Sequence, residues 1–193
     1  MRPRSLLPAA AAALVLGAAG CGGSEPADAV KEVTVERTST DGDALALGRG
    51  AVAPFVDYGT RNQSRPTKVG VTVHAVRKGR IADFEDFSLD RKQRRSTPYY
   101  VEASFENRGR FALSRNLLRA SLEDERGREY RPTTLVVLGG SFRPCPQPAR
   151  AALRPGRSFT GCSVVMLPKG ARPGRARFQG DVTKDPLFWA TGA

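Results

Sequence analysis

Few side chains in this sequence are equipped for chemistry, and their spacing narrows what they can do. His74 is the only histidine in 193 residues. A catalytic dyad or triad built on imidazole would have to route through it, and a metal site built on several histidines is excluded. It stands on the polar side of an alternating run and reads as a surface residue. Cys145 and Cys162 lack a Cys-x-x-Cys spacing, so with one distant histidine they cannot complete a zinc site. Carboxylates are densest at Asp83, Glu85, Asp86 and Asp90, around Phe84 and Phe87. Calcium takes about six to eight oxygen ligands, but no Asp-x-Asp-x-Asp-Gly pattern is present. Glu85 and Asp86 are adjacent and point different ways, which makes them a poor acid and base pair for glycoside hydrolysis. The segment then turns basic with Arg91, Lys92, Arg94 and Arg95. These four are the candidate contacts for an anionic partner, since guanidinium groups fork two hydrogen bonds to a phosphate or carboxylate. The plainer reading is an exposed connection whose acidic and basic halves pair loosely, with Phe84 and Phe87 packing it down. No catalytic residue, metal ligand or cofactor is assigned.

The N-terminus bears on the compartment. Arg2 and Arg4 precede a stretch from Ala9 to Gly20 made only of Ala, Leu, Val and Gly. That is roughly half the ~20 apolar residues needed to span a bilayer, so it suits a secretory signal better than a membrane helix. It ends in Leu16-Gly17-Ala18-Ala19-Gly20-Cys21-Gly22-Gly23-Ser24, which resembles the lipobox of bacterial lipoproteins. The resemblance implies that residues 1–20 are a leader and that Cys21 is acylated, holding the protein at the outer face of the cytoplasmic membrane. The alternative, an ordinary leader cut near Ala18, leaves Cys21 as an odd thiol. With Cys21 so used, Cys145 and Cys162 form an even pair. Outside the cytoplasm they are expected to oxidise, closing a loop that stabilises the fold by about 3 kcal/mol. The alternative is two buried thiols. Residues 21–43 read as the lipidated Cys and a flexible linker.

Charge narrows the partners. Lys and Arg number 31 against 19 Asp and Glu, a net charge of +12, and only two of those positive charges leave with the leader. A basic domain raises nucleic acid as a partner. An exported, tethered protein without a recognition helix or an aromatic binding sheet argues against it. Anionic lipid headgroups and wall polymers remain, or dispersed arginines that only keep the domain soluble.

The elements that would position these groups are strands. Hydrophobic residues are 40% of the chain, enough for a core. Val69, Val71, Val73 and Ala75 alternate with Gly70, Thr72 and His74; Val101, Ala103 and Phe105 alternate with Glu102, Ser104 and Glu106. This is the pattern of a sheet with one buried and one wet face. Asn107-Arg108-Gly109 reads as a turn in which Gly takes a positive φ. Leu118, Ala120 and Leu122 lead into a hairpin at Asp124-Glu125-Arg126-Gly127, and Arg128-Glu129-Tyr130 resumes the strand. Thr133 to Leu138 reads as a strand, Leu153-Arg154-Pro155-Gly156 as a turn, and Ser158–Leu167 and Arg175–Phe178 as the late strands. Trp189 is expected to plug the core or a sheet edge and fasten the C-terminus. Seven or eight short strands over residues 44–193, with weak helical periodicity, predict an all-β sandwich.

Gly70-Val71-Thr72-Val73, Tyr100 to Gly109, Leu122 to Tyr130, Leu153-Arg154-Pro155-Gly156 and Val165-Met166-Leu167-Pro168 together resemble the DUF4352 domains, telokin-like and immunoprotective-extracellular-protein-like, of Gram-positive surface lipoproteins. The resemblance implies an immunoglobulin-like sandwich, exported and commonly lipid-anchored, with no established enzymatic activity. The excess of Arg over Lys suits a high-GC actinobacterium. The leading expectation is therefore a non-enzymatic, lipid-anchored domain that binds a protein or an envelope polymer. One alternative is an envelope structural role in which the basic surface lies on anionic lipid or wall polymer; another is a hydrolase using carboxylates of the 83–90 segment.

Overall fold

The structure is a computed structural model and describes residues 44–58, 64–135, 141–146 and 151–192. The expected leader, Cys21 and the linker 21–43 lie outside the described residues. The chain forms strands β1 (Gly50–Tyr58), β2 (Ser64–Lys78), β3 (Ser96–Asn107), β4 (Leu113–Ser114), β5 (Ser121–Asp124), β6 (Glu129–Tyr130), β7 (Ala152–Leu153), β8 (Ser158–Pro168), β9 (Pro173–Phe178) and β10 (Leu187–Ala190). Between β2 and β3 lie a 3-10 turn at Ile81–Phe84 and one helical turn, α1 (Arg91–Arg94).

Two antiparallel four-stranded sheets, in the orders β1-β2-β3-β8 and β10-β9-β5-β6, face each other, with the pair β4-β7 beside them. The alternating apolar residues of each strand meet between the sheets. Val69, Val71 and Val73 of β2, Val101, Ala103 and Phe105 of β3, Leu122 of β5 and Ala176 and Phe178 of β9 are all at most 2% exposed in one cluster. This is the all-β sandwich that the alternation predicts, of the immunoglobulin-like kind that the DUF4352 resemblance implies.

Three local readings are corrected. A bulge between Val73 and Ala75 shifts the register, so Ala75 lies opposite Glu102 and Val76 opposite Val101; Val76, not Ala75, packs on the core. Gly109 has no positive φ. Its requirement is space: a Cβ there would stand 1.9 Å from the Thr67 Oγ1. Thr133–Leu135 belong to no strand. Pro132 makes an isolated bridge to Val165, and the Thr133 N–H donates to the Val164 carbonyl at 2.7 Å. Val136–Leu138 lie outside the described residues.

Side chains lock the loops. Asn107 is fully buried where β3 ends; its Nδ2 donates to the carbonyls of Phe111 (2.7 Å) and Leu153 (2.8 Å), and its Oδ1 accepts from the Gly109 N–H (2.8 Å). Every polar atom of that amide is thus engaged, as burial demands. At the hairpin, Asp124 Oδ1 accepts from the N–H of Arg126 and of Arg128, and Gly127 takes φ 74°. Trp189 is fully buried and its indole N–H donates to the Arg49 carbonyl at 2.8 Å, while Leu45 pairs alongside β10. The C-terminal strand is thereby fastened to the start of the domain.

β3 and β8 have a second buried face. From Tyr99 to Val101 and from Cys162 to Val165 every residue is buried. Tyr100, Cys162 and Val164 turn away from the main core and are covered by Phe84, Leu89, Phe142 and Cys145. The Phe84 ring lies 4.8 Å from that of Phe142 and 6.4 Å from that of Tyr100. Cys145 is disulfide-bonded to Cys162, with Cα atoms 5.2 Å apart, which pins the 141–146 segment onto the sheet.

Candidate functional site

The basic run is presented by α1. Asp90 caps it: its carboxylate accepts from the Gln93 N–H at 2.7 Å, and the Gln93 side chain accepts from the Asp90 N–H at 2.9 Å. The Ser96 hydroxyl donates to the Lys92 carbonyl at 2.9 Å, tying the turn to the first residue of β3. Ser96 in turn pairs with Pro168 at the end of β8, and Gly170, at φ 87°, turns the chain just beyond. The pairing therefore carries Lys169 beside α1.

Arg91, Lys92, Arg95 and Lys169 line one cleft of about 440 Å³ with Ser96 and Pro168, and among the described residues no carboxylate is in its wall. Three of the four residues expected to meet an anionic partner thus converge. Arg94 is exposed on α1 but is not in the wall. Lys169 was missed, since it lies far along the chain and only the β3–β8 register brings it in. Its one signal was its place in the turn after the strongest late strand. Among the described residues none of these cations has an ion-pair partner, and all are exposed.

Elsewhere part of the positive charge is compensated. Glu123 takes Arg175 at 2.8 Å and Arg177 at 3.4 Å, and Glu129 takes Arg177 at 2.9 Å, across the outer face of the smaller sheet. Arg65 pairs with the buried Asp57 at 2.6 Å, and Arg108 with Glu106 at 3.0 Å. Arg65, Arg77, Arg115 and Arg175 also lie over aromatic rings.

The acidic half of the 77–98 segment does not pair with the basic half, contrary to the plainer reading. Asp83 accepts from the Arg80 N–H at 2.9 Å and the Tyr100 hydroxyl at 2.8 Å, and Asp90 caps α1. The Arg80 backbone, then Tyr100 and the Arg80 charge, hold the Asp83 carboxyl below the ordinary range despite some desolvation. Burial first, then its bond to Asp83, pushes the Tyr100 phenol well up. Phe84 is buried and Phe87 packs on the same cluster, as expected of a segment held down. None of the described cavities is lined by Asp83, Glu85, Asp86 or Asp90, so no carboxylate pair converges on a substrate there. Among the described residues no three His, Cys, Asp or Glu side chains gather as metal ligands.

His74 is exposed, with Nε2 2.7 Å from the Ser104 hydroxyl, which is itself 2.7 Å from that of Thr160. The three form a polar ladder across β2, β3 and β8 on the wet face, with no described cavity at it.

No family model and no curated protein sequence matches this chain. Among solved structures the chain is similar to MPT63, a secreted protein from Mycobacterium tuberculosis, with a TM-score of 0.48 and 12% identity over 79% of this chain and 99% of that one. The DUF4352 resemblance is thus not matched at the level of a family model, and the β-sandwich rests on the strands themselves.

Proposed function

We propose that this chain is a non-enzymatic, extracytoplasmic binding domain, tethered through a lipid on Cys21 to the outer face of the cytoplasmic membrane. Its α1 cleft contacts an anionic component of the envelope, either lipid headgroups or a wall polymer. The observation that carries this reading is the convergence of Arg91, Lys92, Arg95 and Lys169 on one cleft with no carboxylate among its described lining residues. Exposed, hydrated cations suit a diffuse polyanion better than a discrete buried ligand, because such contacts act through summed potential. The non-enzymatic part is supported by the use of Asp83 and Asp90 as local structural acceptors.

The basic cleft is tested by co-sedimentation of the full chain with phosphatidylglycerol vesicles and with isolated teichoic-type polymer, against phosphatidylcholine vesicles as the neutral control. Binding to an anionic target that weakens as salt rises is expected, since screening shortens such attraction to about 8 Å at physiological ionic strength. Equal binding to the neutral vesicles, or binding indifferent to salt, would sink the reading. The tether is tested separately by fractionating cells that carry Cys21→Ser, which is expected to release the protein from the membrane.

A further inference from the structure

β8 is the outer strand of its sheet, and beside its middle a second cleft opens, of about 410 Å³. One wall is Gly161–Ser163 of β8; the other is Arg115 and Asn116 of the 3-10 turn Arg115–Leu117 with Leu118 and Arg119 after it, and Thr134 with Leu135. Phe105 and Leu118 give it an apolar floor. Arg115, Asn116, Arg119, Thr134 and Ser163 supply polar groups, and among the described residues no carboxylate is in the wall. The volume lies in the range of small-molecule sites, and the lining is at least as polar as it is apolar.

Both arginines are half-buried, and among the described residues neither has an ion-pair partner. The Arg115 guanidinium carbon stands 5.0 Å over the Phe159 ring, which fixes its position, and its Nε is buried without a hydrogen-bond partner. Two partly desolvated cations beside one cavity disfavour each other. Elsewhere in the fold, comparably covered arginines face an acid: Arg175 and Arg177 face Glu123, the latter also Glu129. At the side cleft no acid is supplied by the described residues.

We propose that this side cleft, distinct from the α1 cleft, binds a small hydroxylated anion such as an acidic sugar or a polyol phosphate. Arg115 and Arg119 hold its carboxylate or phosphate through charge-assisted hydrogen bonds. Asn116, Thr134 and Ser163 read its hydroxyls.

The test is an amide-resolved NMR titration of the full chain at low salt with galacturonate and with glycerol 3-phosphate, with galactose and glycerol as neutral controls. At least one anion is expected to shift the amides of Arg115–Arg119, Thr134–Leu135 and Gly161–Ser163, with a dissociation constant of about 1 mM or below, while the neutral controls leave them in place. Which anion binds tells a carboxylate from a phosphate. Arg119→Gln is expected to weaken binding about tenfold or more with an unchanged spectrum elsewhere, and Arg91→Gln/Lys92→Gln is expected to retain it. No shift with either anion up to about 20 mM, an equal response to the neutral controls, or shifts confined to α1 would overturn the proposal. The titration of the unaltered chain decides the matter even where a variant fails to fold.

Discussion

Removing the Cys145–Cys162 disulfide should detach one face of the protein before it threatens the other. The bond closes a loop of sequence separation 17, which in the chain-entropy model corresponds to about 3 kcal/mol of stability. It also holds Phe142, 4% exposed, against Phe84, Phe87 and Tyr100 at ring distances of 4.8, 5.4 and 5.9 Å. Releasing that ring to water adds up to about 1.5–3 kcal/mol. The inner cluster of Val69, Val71, Val73 and Leu122 shares no buried residue with this outer one, so it should survive. For the double variant Cys145→Ser/Cys162→Ser we expect the free energy of unfolding, measured in urea, to fall by about 3–6 kcal/mol. The Phe84–Phe142 contacts should be lost from NMR spectra while Val71 and Ala103 keep their native shifts. A stability difference below about 1 kcal/mol, or intact Phe84–Phe142 contacts in the variant, would refute this reasoning. Alkylation of both cysteines in the unreduced chain would refute the pairing itself.

Asn107→Ala strands two carbonyls and one N–H that the buried amide now satisfies, and should cost about 2–4 kcal/mol in urea unfolding; Asn107→Asp should be no better, since it sets an acceptor against the Phe111 and Leu153 carbonyls. Gly180→Ala places a Cβ 2.2 Å from the Pro54 carbonyl, beside the point where the Val56 N–H donates to the Gly180 carbonyl. A loss of about 1–3 kcal/mol in the same assay is expected, and a neutral result would show that β1 can move away freely. Asp83, Asp124 and Asp181 all have pKa values lowered chiefly by backbone N–H donors. Their contribution is present above the carboxyl pKa of the unfolded chain and is lost as pH falls through the lower folded values, so stability should decline on acidification below about pH 4. Tyr100, raised by burial and its bond to Asp83, contributes below the unfolded phenol value near 10 and loses that contribution above it. Stability against pH, measured by thermal unfolding, should fall at both ends; a rise toward acid would contradict the assignment of these carboxylates.

Much of the fold could be read in alternation. Where one face is wet, as at Glu102, Ser104 and Glu106, period two separates core from solvent. The pattern fails where both faces are covered. Tyr99-Tyr100-Val101 and Val164-Val165 are continuous apolar runs because the 81–89 and 141–146 segments lie on the outer face, and what covers a strand is not written in the strand. The bulge at His74 is invisible for the same reason, since it depends on the register with β3. At the candidate site, Arg91, Lys92 and Arg95 stood out as a charge run. Asp90-x-x-Gln93 spells a capping box, but a single turn is too short to show helical period. Lys169, and the pair Arg115 and Arg119 across from Gly161–Ser163, are assembled by pairing between distant segments, so no local pattern announces them.

The central claim is that the α1 cleft, and not the overall positive charge, holds the anionic partner. It is tested most directly by titrating phosphatidylglycerol vesicles with three forms of the full chain. These are the unaltered protein, Arg91→Gln/Lys92→Gln/Arg95→Gln/Lys169→Gln, and the charge-matched Arg49→Gln/Arg126→Gln/Arg154→Gln/Lys184→Gln, whose residues are exposed and scattered over four separate segments. At about 1 kcal/mol per basic residue near an anionic surface, losing the cleft should weaken binding by up to about a thousandfold, and the scattered set by far less. Equal losses from the two variants, or none from the cleft variant, would contradict the account.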